Sequence, residues 1–102
     1  LYPFRAIYQQ TPPGFQLQAG FTVSNRNFKK ATDRNRIKRL MKEAYRLQKK
    51  GLEVFLKNKD LNLAVFFIYT FKESEAYDVI VNKMNLLLLS IQKKLEKPVG
   101  NE

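Results

Sequence analysis

Histidine and cysteine are absent from this 102-residue chain. Without histidine there is no imidazole general base and no Ser-His-Asp triad. Without cysteine there is no thiolate nucleophile, no Cys/His zinc site and no disulfide framework of the kind that marks small secreted domains. Long apolar stretches are missing too: no run of about 18 or more uncharged apolar residues is present to span a bilayer, so no membrane partner is expected and the simplest compartment is the cytoplasm. Acidic residues are few, nine against 19 Lys and Arg, and no Asp-x-Asp pair suggests a two-metal nuclease site built from protein. No catalytic residue, metal ligand, cofactor or small-molecule substrate is therefore assigned to the chain itself.

What is present suffices for one core. A hydrophobic content of 44% over 102 residues fits a single domain, since domains typically run to about 100–150 residues. The expected division is one domain over residues 1–102, with an ordered core over 1–96 and a tail over 97–102. The chain opens on Leu1 in a strand-like pattern, so a longer natural sequence is expected upstream. The formal net charge of +10 is not spread evenly. Residues 25–59 hold 13 of the 19 basic side chains and three acids, Asp33, Glu43 and Glu53, while the remainder balances. Charge concentrated in one segment is the footprint of a phosphate-binding surface and implies a polyanionic partner.

Hydropathy periodicity places that segment among other elements. Residues 1–8 suit the start of a strand at a sheet edge, and Thr11-Pro12-Pro13-Gly14 is a turn. Residues 15–24 alternate, with Phe15, Leu17, Ala19, Phe21 and Val23 on one face, which predicts a half-buried strand hairpinned to the first. Asn25 to Thr32 is a basic loop. Asp33 is the expected N-cap of a helix to about Lys50, ended by Gly51, and residues 52–59 are a helical extension or a loop. Leu61 to Thr70 is a strand with both faces largely covered. Ser74 caps a last helix to about Leu95, whose apolar stripe, including the run Leu86 to Leu89, is assigned to the core. Pro98 and Gly100 close the ordered part. The order β-β-α-β-α predicts an α+β fold: a single two-layer domain, a small mixed sheet with helices packed on one side.

In the first of these helices Ile37, Leu40, Met41, Ala44 and Tyr45 recur at the spacing of one buried face. Asn35, Lys38, Arg39, Lys42, Arg46 and Lys49 gather opposite. Arg34 and Arg36 stand in the first turn, where the helix dipole disfavours cations and free N–H groups favour anions, so both are expected to serve a ligand rather than the helix. Their planar guanidinium forks suit bidentate contact with phosphate. Arg26, Lys29 and Lys30 extend the basic surface into the preceding loop. Most of the strand aromatics are expected in the core, with two or three, not distinguished by the pattern, exposed for stacking on unpaired bases.

The stretch from Ala31 to Arg46, Ala-Thr-Asp-Arg-Asn-Arg-Ile-Lys-Arg-Leu-Met-Lys-Glu-Ala-Tyr-Arg, closely resembles the RNR signature of the bacterial ribonuclease P protein subunit. Gly20-Phe21-Thr22-Val23-Ser24 resembles the strand that precedes it in that family, and the resemblance covers about residues 15–95. It implies an RNA-binding subunit that assists a catalytic RNA in endonucleolytic removal of the 5′ leader from precursor tRNA, with the RNA and its Mg2+ ions performing the chemistry and the protein inert alone. Arg34, Asn35, Arg36, Lys38, Arg39 and Arg46 match the family motif position by position, and with Arg26, Lys29, Lys30 and Lys42 of the basic surface they make up the expected RNA-binding set. In the family a cleft beside the sheet holds the single-stranded leader, for which Tyr8 and Phe21 are the candidates here. Lys42 stands where the family often has Arg, and Asn25-Arg26 replaces a commoner Lys-Lys pair. The family's N-terminal helix, which contributes aromatics to the cleft, has no counterpart from Leu1 onward. Two alternatives remain at this point: a general RNA-binding or ribosomal protein without a role in tRNA processing, and a protein-only nuclease, against which the scattered acids count.

Overall fold

The computed structural model describes residues 2–96. Leu1, the expected closing residues Pro98 and Gly100, and the tail lie outside the described residues. The elements are strand β1 (Phe4–Gln10), strand β2 (Leu17–Val23), helices α1 (Ala31–Gln48) and α2 (Lys50–Lys59), strand β3 (Leu63–Tyr69) and helix α3 (Tyr77–Glu96). The architecture is α+β, three strands in one mixed sheet with the helices on one side.

The strand order is β1-β3-β2, with β1 antiparallel to β3 and β2 parallel to it. The expected hairpin between β1 and β2 is therefore absent. β3, Leu-Ala-Val-Phe-Phe-Ile-Tyr, carries no polar residue until its terminal tyrosine and gains most from taking the centre, where both of its edges are paired. β1, with Gln9 and Gln10, and β2, with Gln18, take the edges. The parallel pair β2 and β3 requires a long crossover, which α1 and α2 supply.

Alternation in the registered strands sends Phe4, Ala6 and Tyr8, Leu17, Ala19, Phe21 and Val23, and Leu63, Val65, Phe67 and Tyr69 toward the helices. Against them pack Ile37, Met41, Ala44 and Tyr45 of α1, Leu52, Phe55 and Leu56 of α2, and Ile80, Met84, Leu88 and Ile91 of α3. The opposite face of the sheet is open. β3 is thus covered on one side only, contrary to expectation, with Phe66 52% exposed.

Three helix boundaries differ from the local signals. α1 begins at Ala31 on an extended Lys30, and Asp33 makes no capping hydrogen bond; it lies in the first turn, where its carboxylate still favours the dipole. Gly51 does not end the helical region. The Glu53 N–H donates to the Lys49 carbonyl at 2.9 Å, and burial of Leu52, Phe55 and Leu56 outweighs the roughly 1 kcal/mol propensity deficit of one glycine. The stop is Asp60, in the left-handed conformation (φ 57°), where the N–H of Leu61 caps the Leu56 carbonyl at 2.9 Å. α3 starts at Tyr77, three residues beyond Ser74. Four consecutive leucines wrap most of the way around a helix at about 100° per residue, so Leu88 is buried while Leu86 and Leu89 face outward, against the core assignment of the whole run.

Candidate nucleic-acid interface

α1 turns its apolar side onto β2 and α3, which leaves its polar side outward. Asn35, Arg36, Arg39, Lys42 and Arg46 are exposed along it, with Lys38 half-buried, and Arg26, Lys29 and Lys30 are exposed in the loop that leads into its N-terminus. Arg26, Lys29, Lys30, Arg36, Lys38, Arg39 and Lys42 form no ion pair among the described residues. So many uncompensated cations, with Lys29 and Lys30 immediately before the first turn of α1 and Arg36 in its second turn rather than the first, repel one another and the dipole. The arrangement opposes helix stability and favours an anionic ligand.

Two members of the set are already engaged. The Nη1 of Arg34 donates to the carbonyls of Phe28 at 2.7 Å and Lys29 at 2.8 Å. The fork expected to grip phosphate instead ties the basic loop to the first turn of α1. Phe28 anchors that loop from below, its ring edge-on to Tyr69 with centroids 5.9 Å apart. Arg34 is thereby a positioning residue for Lys29 and Lys30. Arg46 donates twice to Glu43, from Nη2 at 2.7 Å and from Nε at 3.2 Å. Those hydrogen bonds hold the Glu43 carboxyl below the usual carboxylate range and compensate part of the Arg46 charge.

The second surface is the open face of the sheet. A groove of about 400 Å3 runs across it, with Ile7, Gln9, Gln18, Gly20, Ala64 and Phe66 in its lining and no charged side chain among the residues that form it. Ile7 and Phe66 are half exposed. The Phe66 ring lies over Gly20, where an added Cβ would sit 2.0 Å from ring Cε1. An aromatic ring, glutamine amides and no phosphate-seeking cation suit bases better than backbone.

Tyr8 and Phe21, the two leader candidates, turn the other way. Phe21 stacks on Phe67 with centroids 5.4 Å apart and meets Tyr45 edge-on at 5.6 Å. Tyr8 borders the groove but its side chain packs against the core. Ile7, Phe66 and Gly20 occupy the open face in their place. The period-two rule carried the missing signal: in the tandem Phe66-Phe67 one ring must face away from the core, and the buried parity of Val65, Phe67 and Tyr69 makes it Phe66.

The sequence model of the ribonuclease P family matches residues 2–81. The chain belongs to the ribonuclease P protein family. The match spans the whole sheet, α1, α2 and the start of α3, and so contains both surfaces just described. Curated ribonuclease P protein components from two strains of Porphyromonas gingivalis are 29% and 28% identical over 96 residues, covering 89% of this chain and 68% of each relative. No solved structure matches at a significant level. As a ribonuclease P protein the chain is a subunit of an endoribonuclease and acts in tRNA processing. No helix among the described residues is long and apolar enough to cross a membrane.

Proposed function

We propose that the outer face of α1, with the loop around Lys29 and Lys30, seats the catalytic RNA of ribonuclease P, and that the open sheet face receives the unpaired 5′ leader of precursor tRNA. The observation that carries this reading is the segregation of chemistry: unpaired cations gather on one helix face, and an uncharged aromatic groove lies on the far side of the sheet. The first suits a folded RNA backbone, whose phosphates set affinity. The second suits splayed single-stranded bases. Family membership disfavours a general RNA-binding role.

In this reading the chemistry belongs to the RNA subunit. Among the described residues no three His, Cys, Asp or Glu side chains converge as metal ligands, and Mg2+ enters this reading with the RNA. The protein's part is electrostatic and positional. Its cations offset repulsion between the RNA subunit and the substrate backbone, and the groove holds the leader so that the scissile bond sits in the RNA's site. The working compartment is the cytoplasm.

The test is cleavage of precursor tRNA by a bacterial ribonuclease P RNA at limiting Mg2+, with and without this chain. Stimulation that grows with leader length and is absent for mature-tRNA binding supports the reading. No stimulation, with RNA binding intact, refutes it in favour of a general RNA-binding protein.

A further inference from the structure

A third surface lies at the start of β2. Phe15, expected on the buried face, falls short of the strand and is 75% exposed, the most exposed large hydrophobic side chain among the described residues. With Leu17 it forms one wall of a groove of about 430 Å3, whose other wall is α2: Lys50, Glu53, Val54 and Lys57. Val54 is 47% exposed. Lys50 and Lys57 are seven residues apart, two helical turns and about 10 Å along the axis, on one side of α2. Neither forms an ion pair among the described residues, whereas Glu53 is met by Lys49 at 3.7 Å. The uncompensated charge in the groove that holds the exposed ring is therefore positive.

An exposed aromatic ring sharing one groove with two free cations matches an unpaired nucleotide: base on ring, phosphates on ammonium groups. A protein partner fits less well, because Phe15 and Val54 alone give too little apolar area for a stable interface. The groove belongs to the helix layer, like the α1 stripe, and lies away from the open sheet face. We propose that it is a second contact with the catalytic RNA, in which one unpaired base of that RNA stacks on Phe15 while Lys50 and Lys57 hold the flanking phosphates. The proposal rests on the reading of α1 as the seat of the RNA.

The test is equilibrium binding of the chain to ribonuclease P RNA across a salt series. Phe15→Ala weakens binding about 5- to 150-fold, the range for one lost base stack, with the salt slope unchanged. Lys50→Ala with Lys57→Ala lowers the slope by about 1.4–1.8, two phosphates' worth of released counterions. Because the chain has no tryptophan, Phe15→Trp introduces a single reporter whose fluorescence the RNA quenches. Affinity within twofold of the parent for Phe15→Ala, with unquenched Phe15→Trp, overturns the proposal. If Arg39→Glu with Lys42→Glu still abolishes binding in that case, the α1 reading survives alone; if it does not, both fall. A loss confined to leader-bearing precursor tRNA would reassign the groove to substrate and overturn the proposal as stated.

Discussion

Gly20→Ala separates the groove's architecture from its function. The new Cβ would lie 2.0 Å from Cε1 and 2.3 Å from Cδ1 of Phe66, so the ring must retreat by at least about 1.5 Å to reach ordinary carbon–carbon contact. It has somewhere to go. Phe66 is 52% exposed, and the obstructing atoms are the end of a side chain rather than backbone. Gly20 has no positive φ that a Cβ would strain. Displacing the ring costs about 0.5–1.5 kcal/mol if it leaves its rotamer well, and replacing glycine returns about 0.4–1 kcal/mol through the unfolded chain. The two nearly cancel, so stability should change by less than about 1 kcal/mol in urea denaturation. Phe67→Ala on the buried face should by contrast lose about 3–5 kcal/mol. With Phe66 displaced, one base stack of the leader is lost, about 1–3 kcal/mol, or 5- to 150-fold. The assay is the ratio of holoenzyme affinities for precursor tRNA and mature tRNA, which should fall by that factor while mature-tRNA affinity holds. A folded Gly20→Ala protein with an unchanged ratio would show that Phe66 is not a leader platform. Destabilisation beyond about 2 kcal/mol would show that the ring is locked and the steric reasoning wrong.

Three other outcomes follow from the same structure. Arg39→Glu with Lys42→Glu reverses two exposed, unpaired charges of α1; RNA affinity should drop and its salt slope flatten while the thermal transition is retained, and an unchanged slope would move the RNA seat elsewhere. Gly51→Ala should stabilise the protein by about 0.5–1 kcal/mol, since an added Cβ meets nothing within 4 Å inside α2; a lowered midpoint in denaturant would contradict the helical assignment at that position. Burial pushes the phenols of Tyr45 and Tyr69 up to about 12. Folding thus favours their protonated forms, and the stability they contribute is complete below the unfolded value near 10 and is lost as pH rises toward 12. Absorbance titration of the tyrosinate should show these two of the five tyrosines ionising together with alkaline unfolding, and ionisation well before unfolding would place them at the surface.

The amphipathic face of α1 was legible because helical geometry makes position along the chain equivalent to angle around the axis. Ile37, Met41, Ala44 and Tyr45 are buried, and the cations opposite them are outward. The same parity worked for β2, where Leu17, Ala19, Phe21 and Val23 meet the helices. It failed for Phe15 because periodicity does not show where pairing stops, and β2 begins only at Leu17, opposite Leu63. Arg34 and Arg46 had the right residue type but not the expected freedom: a guanidinium within reach of two carbonyls or a carboxylate takes them, and such reach is a matter of rotamer and loop path.

By itself, then, the sequence determined where the charge lies, which face of α1 is cationic, the α+β order of elements and the family signature, all of which depend on spacing within a few turns of one segment. The tertiary structure decided that β3 lies between β1 and β2, and hence that the sheet has one bare face. Strand order depends on which strand gains most from pairing along both edges, a comparison among segments up to about sixty residues apart that no local period encodes. That choice is what turns Phe66 outward over Gly20, packs Phe21 against Phe67 and Tyr45, and separates an uncharged aromatic surface from a cationic one.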